Sequence, residues 1–205
     1  FLSRGSVPEP RALVRGVCAL EPGTALSLDE EARGEPRRFF SLPTAPPSGD
    51  PSELVERVRA RLEASVEGSL LADVPIAVLL SGGIDSPVLA RLVRRRSGVE
   101  VRSFHVRVGS GGAGRAARVA ASLGLAHQEL DASAEPADLL AAAAAQDQPS
   151  VDGANTWLVA RAIHRAGLRV ALSGLGADEV FLGYPLHRRF LRLRTLGLEP
   201  ALPRV

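Results

Sequence analysis

From residue 51 onward the apolar positions fall into two alternating rhythms. Leu54, Val58, Leu62, Val66 and Leu70 recur every four residues and predict one face of a helix. Asp50 stands where an N-cap belongs, with Pro51 at the first helical position. Short apolar runs then alternate with helical stretches, which predicts strands near 74–80, 101–108, 127–130 and 169–172 and helices near 88–95, 115–123, 136–145 and 154–166. Gly98, Gly124 and Gly167 sit where helix-ending glycines belong. Strands and helices in this order predict an α/β fold with a doubly wound parallel sheet. Residues 1–42 read differently, as short β-like runs broken by Pro8, Pro10, Pro22-Gly23 and Gly34, and 43–50 is a Pro/Ser/Gly linker. The expected division is therefore 1–42, a linker at 43–50, and an α/β domain over 51–205.

The first strand runs into Ser81-Gly82-Gly83-Ile84-Asp85-Ser86, directly before a helix. Two glycines at a strand exit let the backbone turn sharply and bring N–H groups close to a ligand, with the positive end of the next helix aimed at the same spot. Pyrophosphate fits such a nest. Ser81 and Ser86 add hydroxyl donors, while Asp85 beside a phosphate makes sense as a magnesium ligand. The plainer alternative is a strand-to-helix turn with Ser86 as N-cap and Pro87 at the first helical position. A second loop of this kind, Ser173-Gly174-Leu175-Gly176-Ala177-Asp178-Glu179, follows the strand at 169–172. In a parallel sheet both exits lie on one edge, so Asp85 and Asp178 can serve one hard cation; Asp178 and Glu179 can equally be a first-turn acidic pair answering a helix dipole.

Composition narrows the class without naming it. Hydrophobic residues make up 45% and charged residues 23%, ordinary for a globular domain. No apolar stretch reaches membrane-span length, no signal-peptide layout opens the chain, and the lone Cys18 has no internal disulfide partner, so a cytoplasmic setting is expected. The net charge of +2 is no nucleic-acid footprint. All 25 basic residues are arginine, which excludes a GxxxxGK[ST] phosphate loop. Methionine is absent as well, so the chain is expected to be an internal piece of a longer protein.

Three motifs in order, SGGIDS at 81–86, DQPSVD at 147–152 and SGLGADEVFLGY at 173–184, resemble the synthetase domain of glutamine-dependent asparagine synthetases. GSVPEP at 5–10 and GVCALEPGTAL at 16–26 resemble the closing strands of that family's N-terminal nucleophile glutaminase domain. The resemblance implies an ATP pyrophosphatase (PP-loop) fold and an ATP-dependent ligase. Such an enzyme adenylates aspartate or a related acid with release of pyrophosphate, and then transfers glutamine-derived ammonia to give amide and AMP. It implies adenine near Leu80 and Val106, pyrophosphate at Ser81, Gly82, Gly83, Asp85 and Ser86, and the α-phosphate facing Ser173 and Gly174. Mg²⁺ is implied on Asp85 and Asp178, catalytic roles at Asp85, Asp178 and Glu179, and substrate contacts at Asp152, Leu175 and Gly176. Its partners would be small molecules, with no nucleic acid or membrane, and a homodimer is open to the intact parent. A late lysine used by relatives would lie past Val205, so this piece alone is expected to be inactive. Leu175 departs from the glutamate or tyrosine that relatives carry, which puts free aspartate as acceptor in doubt and leaves a related cyclase or amidotransferase as the alternative.

Other residues have plainer readings. Gly109 to Gly114 fits GxGxxG with Asp131 at the end of the following strand, a dinucleotide-binding pattern; against it, Arg102, His105 and Arg107 lie in a strand that should be almost wholly apolar, and the other motifs go unexplained. A non-catalytic nucleotide-binding module is the other alternative. Asp147 and Asp152 divide evenly between contact with a substrate amine and loop capping. Cys18 reads as a small buried thiol and Trp157 as packing. His105 and His127 lack metal-type spacing, and Arg188, Arg189, Arg192 and Arg194 read as a solvated helical face.

Overall fold

The computed structural model describes residues 5–43, 48–96, 101–107, 113–132 and 134–197. The elements in chain order are β1 (Thr24–Leu26), β2 (Pro36–Arg38), α1 (Pro51–Ser69), β3 (Ile76–Leu79), α2 (Asp85–Arg96), β4 (Arg102–Arg107), α3 (Ala113–Ser122), β5 (Ala126–Asp131), α4 (Pro136–Ala144), α5 (Gly153–Arg165), β6 (Val170–Leu172), α6 (Ala177–Phe181) and α7 (Pro185–Thr195). They divide between two compact units, one running to Ala64 and resuming over Asp131–Ala166, the other formed by Ser65–Leu130 and the chain from Gly167.

The second unit holds a four-stranded sheet in the order β5-β4-β3-β6. β3 pairs in parallel with β4 on one side (Leu79 opposite Phe104) and with β6 on the other (Val78 opposite Leu172). Successive strands β3, β4 and β5 step outward in one direction and β6 returns to the opposite flank, so the order reverses between β3 and β6. That is the switch point of a doubly wound sheet, where ligand sites form at strand C-termini. β3 is apolar because both its faces are covered, and Ala77 and Val78 have no exposed surface. Val78 and Leu80 join Val66 of α1, Ala90 and Val93 of α2, Val101, Ala116 and Ala120 of α3, and Leu125 in one core. Each large aliphatic side chain buried there contributes about 1.5–3 kcal/mol. Small residues on α2 and α3 let the helices approach the sheet closely.

The predicted β4 is present, and its polar residues are accommodated in three ways. Arg102 is exposed and lies over the Phe104 ring at 5.7 Å, Arg107 is exposed at the strand end, and His105 is buried with a hydrogen bond to Leu80 O. Gly124 and Gly167 take the left-handed conformation expected of helix stops. The glycine run at 109–112 and Gly98 lie outside the described residues; α3 opens at Ala113.

In the first unit β1 and β2 form an antiparallel pair, with isolated bridges Arg11↔Cys18 and Ser6↔Ser150. Cys18 is exposed, not the buried thiol expected, because its bridge to Arg11 lies among residues that are themselves exposed, Arg11, Val17 and Leu20 included. α4 and α5 are tied by Arg161, which meets Asp138 through both guanidinium nitrogens and lies over the Trp157 ring at 4.6 Å. Asp138 also accepts the Glu135 N–H as part of a capping box. Asp50 caps α1 as predicted, accepting from Ser52 N–H at 2.9 Å. The four-residue stripe of α1 is buried only at Val66, while Val58 stays 44% exposed. Among the described residues no helix is long and apolar enough to cross a membrane.

Candidate functional site

The two glycine-rich loops leave neighbouring strands, β3 and β6, and meet in the second unit. A Cβ built on Gly174 would lie 3.0 Å from Ser86 N, 3.2 Å from Asp85 Cβ and 3.3 Å from Asp85 C. A side chain at 174 would therefore make the Ser173 loop and the start of α2 give way by a few tenths of an ångström. Gly82 holds φ +77° in the first loop and Gly176 φ +93° in the second, values that side-chain-bearing residues seldom adopt.

Ser86 is not the N-cap of α2. The helix opens at Asp85, and Val88 N–H donates to Ile84 O at 3.4 Å, which puts Ile84 at the cap position. Ile84 is 82% exposed and its side chain has no oxygen to offer the first-turn amides. Ser86 is instead buried, accepting Ser81 N–H at 3.0 Å and lying 3.0 Å from Ser81 Oγ. Ser81 Oγ in turn accepts Gly83 N–H at 3.3 Å. These bonds hold the loop in its turn before any ligand arrives.

In the second loop Ser173 Oγ accepts Leu175 N–H at 3.2 Å, and the Leu175 side chain is 87% exposed. Asp178 is partly buried, and its Oδ1 occupies the space where a Cβ on Gly183 would stand. Glu179 accepts a 2.6 Å hydrogen bond from Tyr184 Oη, and this bond, its own backbone N–H and His187 hold the carboxyl below its usual range. Tyr184 and Gly183 are thus supports that spacing alone did not reveal. Leu80 is buried at the end of β3 and Val106 is partly buried on β4. Asp152, in the first unit, makes no side-chain capping bond at the start of α5; Gln146 Oε1 takes up Ser150 N–H there instead, at 3.0 Å.

Among the described residues no group of three His, Cys, Asp or Glu comes together. Mg²⁺ does not need such a cage, since one or two carboxylates plus phosphate oxygens and water complete its shell. Asp85 lies at the glycine cradle, its Cβ 3.2 Å from where a Cβ on Gly174 would stand, and a carboxylate there suits that donor set.

Comparison with known proteins gives the family. The asparagine synthase family profile matches residues 57–204. Asparagine synthetase (glutamine-hydrolyzing) 1 of Bacillus subtilis is 30% identical over 208 residues, covering 98% of this chain and 33% of that protein. Asparagine synthetase B (glutamine-hydrolyzing) of Escherichia coli is 31% identical over 147 residues, 62% of this chain and 26% of that one. Among solved structures, the NH3-dependent NAD synthetase of Campylobacter jejuni aligns over 63% of this chain and 60% of its own, at 17% identity and a TM-score of 0.43. The chain spans about a third of the length of the curated relatives it matches. On the strength of the matched profile, this chain belongs to the asparagine synthase family.

Proposed function

We propose that the protein carrying this chain is an ATP-dependent amide-forming ligase. A substrate carboxylate oxygen attacks the α-phosphorus of ATP and pyrophosphate leaves; ammonia derived from glutamine then attacks the acyl-adenylate, giving amide and AMP. The observation that carries this reading is the contact between the two loops at the switch point, with Gly174 against Ser86 N and Asp85.

On this reading the amides and hydroxyls of residues 81–86 bind pyrophosphate, Leu80 and Val106 flank the adenine, and Ser173 and Gly174 face the α-phosphate. Asp85 and Asp178 would hold Mg²⁺, which when bound neutralises charge on the departing pyrophosphate. The protein's own contribution is then positioning: the loop is fixed by its internal hydrogen bonds, and Glu179 is kept ionised by Tyr184. The acceptor carboxylate is that of aspartate or a related acid, and the exposed Leu175, with no group to accept a proton or pair with an amine, favours a less polar acceptor than free aspartate. Within the longer protein, residues 1–42 are assigned to the end of a glutaminase domain, 43–50 to a linker and 51–205 to the synthetase domain.

Exchange of labelled pyrophosphate into ATP by the intact parent tests the proposal across a panel of carboxylic acids. Acid-dependent exchange with AMP as co-product is expected. Formation of ADP and orthophosphate, or no exchange with any acid, would overturn it.

A further inference from the structure

The peptide unit between Leu80 and Ser81 is where β3 becomes the phosphate loop, and it is held at both ends. Its N–H donates to Ser86 Oγ at 3.0 Å. Its carbonyl oxygen lies 2.8 Å from His105 Nδ1. A carbonyl can only accept, so the proton of that bond sits on Nδ1. The ladder register, with Leu79 opposite Phe104, brings His105 level with Leu80, and Leu80 N–H still donates to Phe104 O at 2.8 Å. At the end of the strand a side chain thus takes up the Leu80 carbonyl.

Bonds therefore run in series from β4 into the loop: His105 to the Leu80 carbonyl, Ser81 N–H to Ser86 Oγ, Ser86 Oγ to Ser81 Oγ, and Gly83 N–H to Ser81 Oγ. Rotating the Leu80–Ser81 peptide would break two of them at once and exchange a donor for an acceptor beside an anion site. Water cannot readily replace these bonds, since Leu80, Ser86 and His105 are 2%, 4% and 7% exposed.

We propose that His105 is a positioning residue for nucleotide binding, fixing the Leu80–Ser81 peptide and through it the hydroxyls of Ser86 and Ser81. The inference rests on the reading of residues 81–86 as a phosphate loop. It predicts that the role needs an N–H at the position of Nδ1 and not an imidazole as such. Asparagine can supply that donor and leucine cannot.

The test uses the intact parent that carries this chain, with calorimetric binding of Mg-ATP and Mg-pyrophosphate and residue-resolved amide exchange. H105L should weaken both ligands about tenfold and speed exchange of the Ser81 amide while leaving Val78 and Phe104 protected, whereas H105N stays within about twofold of the native chain. Unchanged binding by H105L, or H105N no better than H105L with the Ser81 amide unaltered, would overturn the positioning role alone. If the native parent binds neither ligand, the phosphate-loop reading fails and this inference falls with it. Should H105L not fold, methionine at the same position fills similar space without a donor and carries the same comparison.

Discussion

Gly174→Ala is the sharpest test of how the two loops meet. The added methyl group would stand 3.0 Å from Ser86 N, 3.2 Å from Asp85 Cβ and 3.3 Å from Asp85 C, inside ordinary van der Waals separation. Two of those atoms are backbone in the first turn of α2 and the third is fixed directly to it, so no side-chain rotation relieves the contact. The loop after β6 must withdraw by several tenths of an ångström, at a cost of about 1–3 kcal/mol by analogy with overpacked cores. Gly68→Ala in α1 is the control: nothing lies within 4 Å of its added Cβ, and alanine in a helix should stabilise by up to about 1 kcal/mol. Urea denaturation gives the stability difference and calorimetry gives Mg-ATP affinity. Gly174→Ala should lower the unfolding midpoint and weaken nucleotide by at least about tenfold, because the same displacement opens the cradle. A variant that unfolds with the native midpoint and binds nucleotide normally would refute the idea that loop contact at Gly174 builds the site.

Asp85→Asn and Asp178→Asn in the intact parent should each remove most pyrophosphate exchange at limiting Mg²⁺ without lowering the unfolding midpoint; normal exchange in either would dismiss that residue as a metal ligand. Gly183→Ala should behave like Asp178→Asn, since its methyl group would strike Asp178 Oδ1, and the double variant should lose no more than either single one; additive losses would separate the two. Hydrogen bonds from Arg161 and Glu135 N–H lower the Asp138 pKa from 3.8 to about 2. That stabilisation is complete above the unfolded value and is lost as pH falls from about 4 through about 2, so Asp138→Asn should flatten the urea midpoint over that window; an unchanged profile would count against the Arg161 clasp. Leu175→Glu should raise aspartate-dependent exchange, and no gain alongside ordinary asparagine formation by the native parent would make Leu175 structural.

The sheet was legible in the sequence because its signal is burial. Central strands covered on both faces must be apolar, and 74–80 reads as a strand for that reason, with β3 found inside it; β6, found inside 169–172, is only partly buried at the flank of the described sheet. The two loops were legible because tight strand exits demand glycine. What stayed hidden was pairing across distance. Ser86 looked like an N-cap from its neighbours, and only the return of the chain shows its hydroxyl beneath Ser81 N–H. His105 looked out of place in a central strand, yet its polarity is what the neighbouring strand end requires, because Leu80 O needs a donor where regular pairing runs out. Cys18 misled in the opposite direction, since a small apolar residue near a bridge suggests burial only if another layer covers it. A polar residue in a buried strand next to a glycine-rich exit is thus better read as a partner for the loop backbone than as evidence against the strand. This predicts that replacing His105 costs the site more than it costs the sheet.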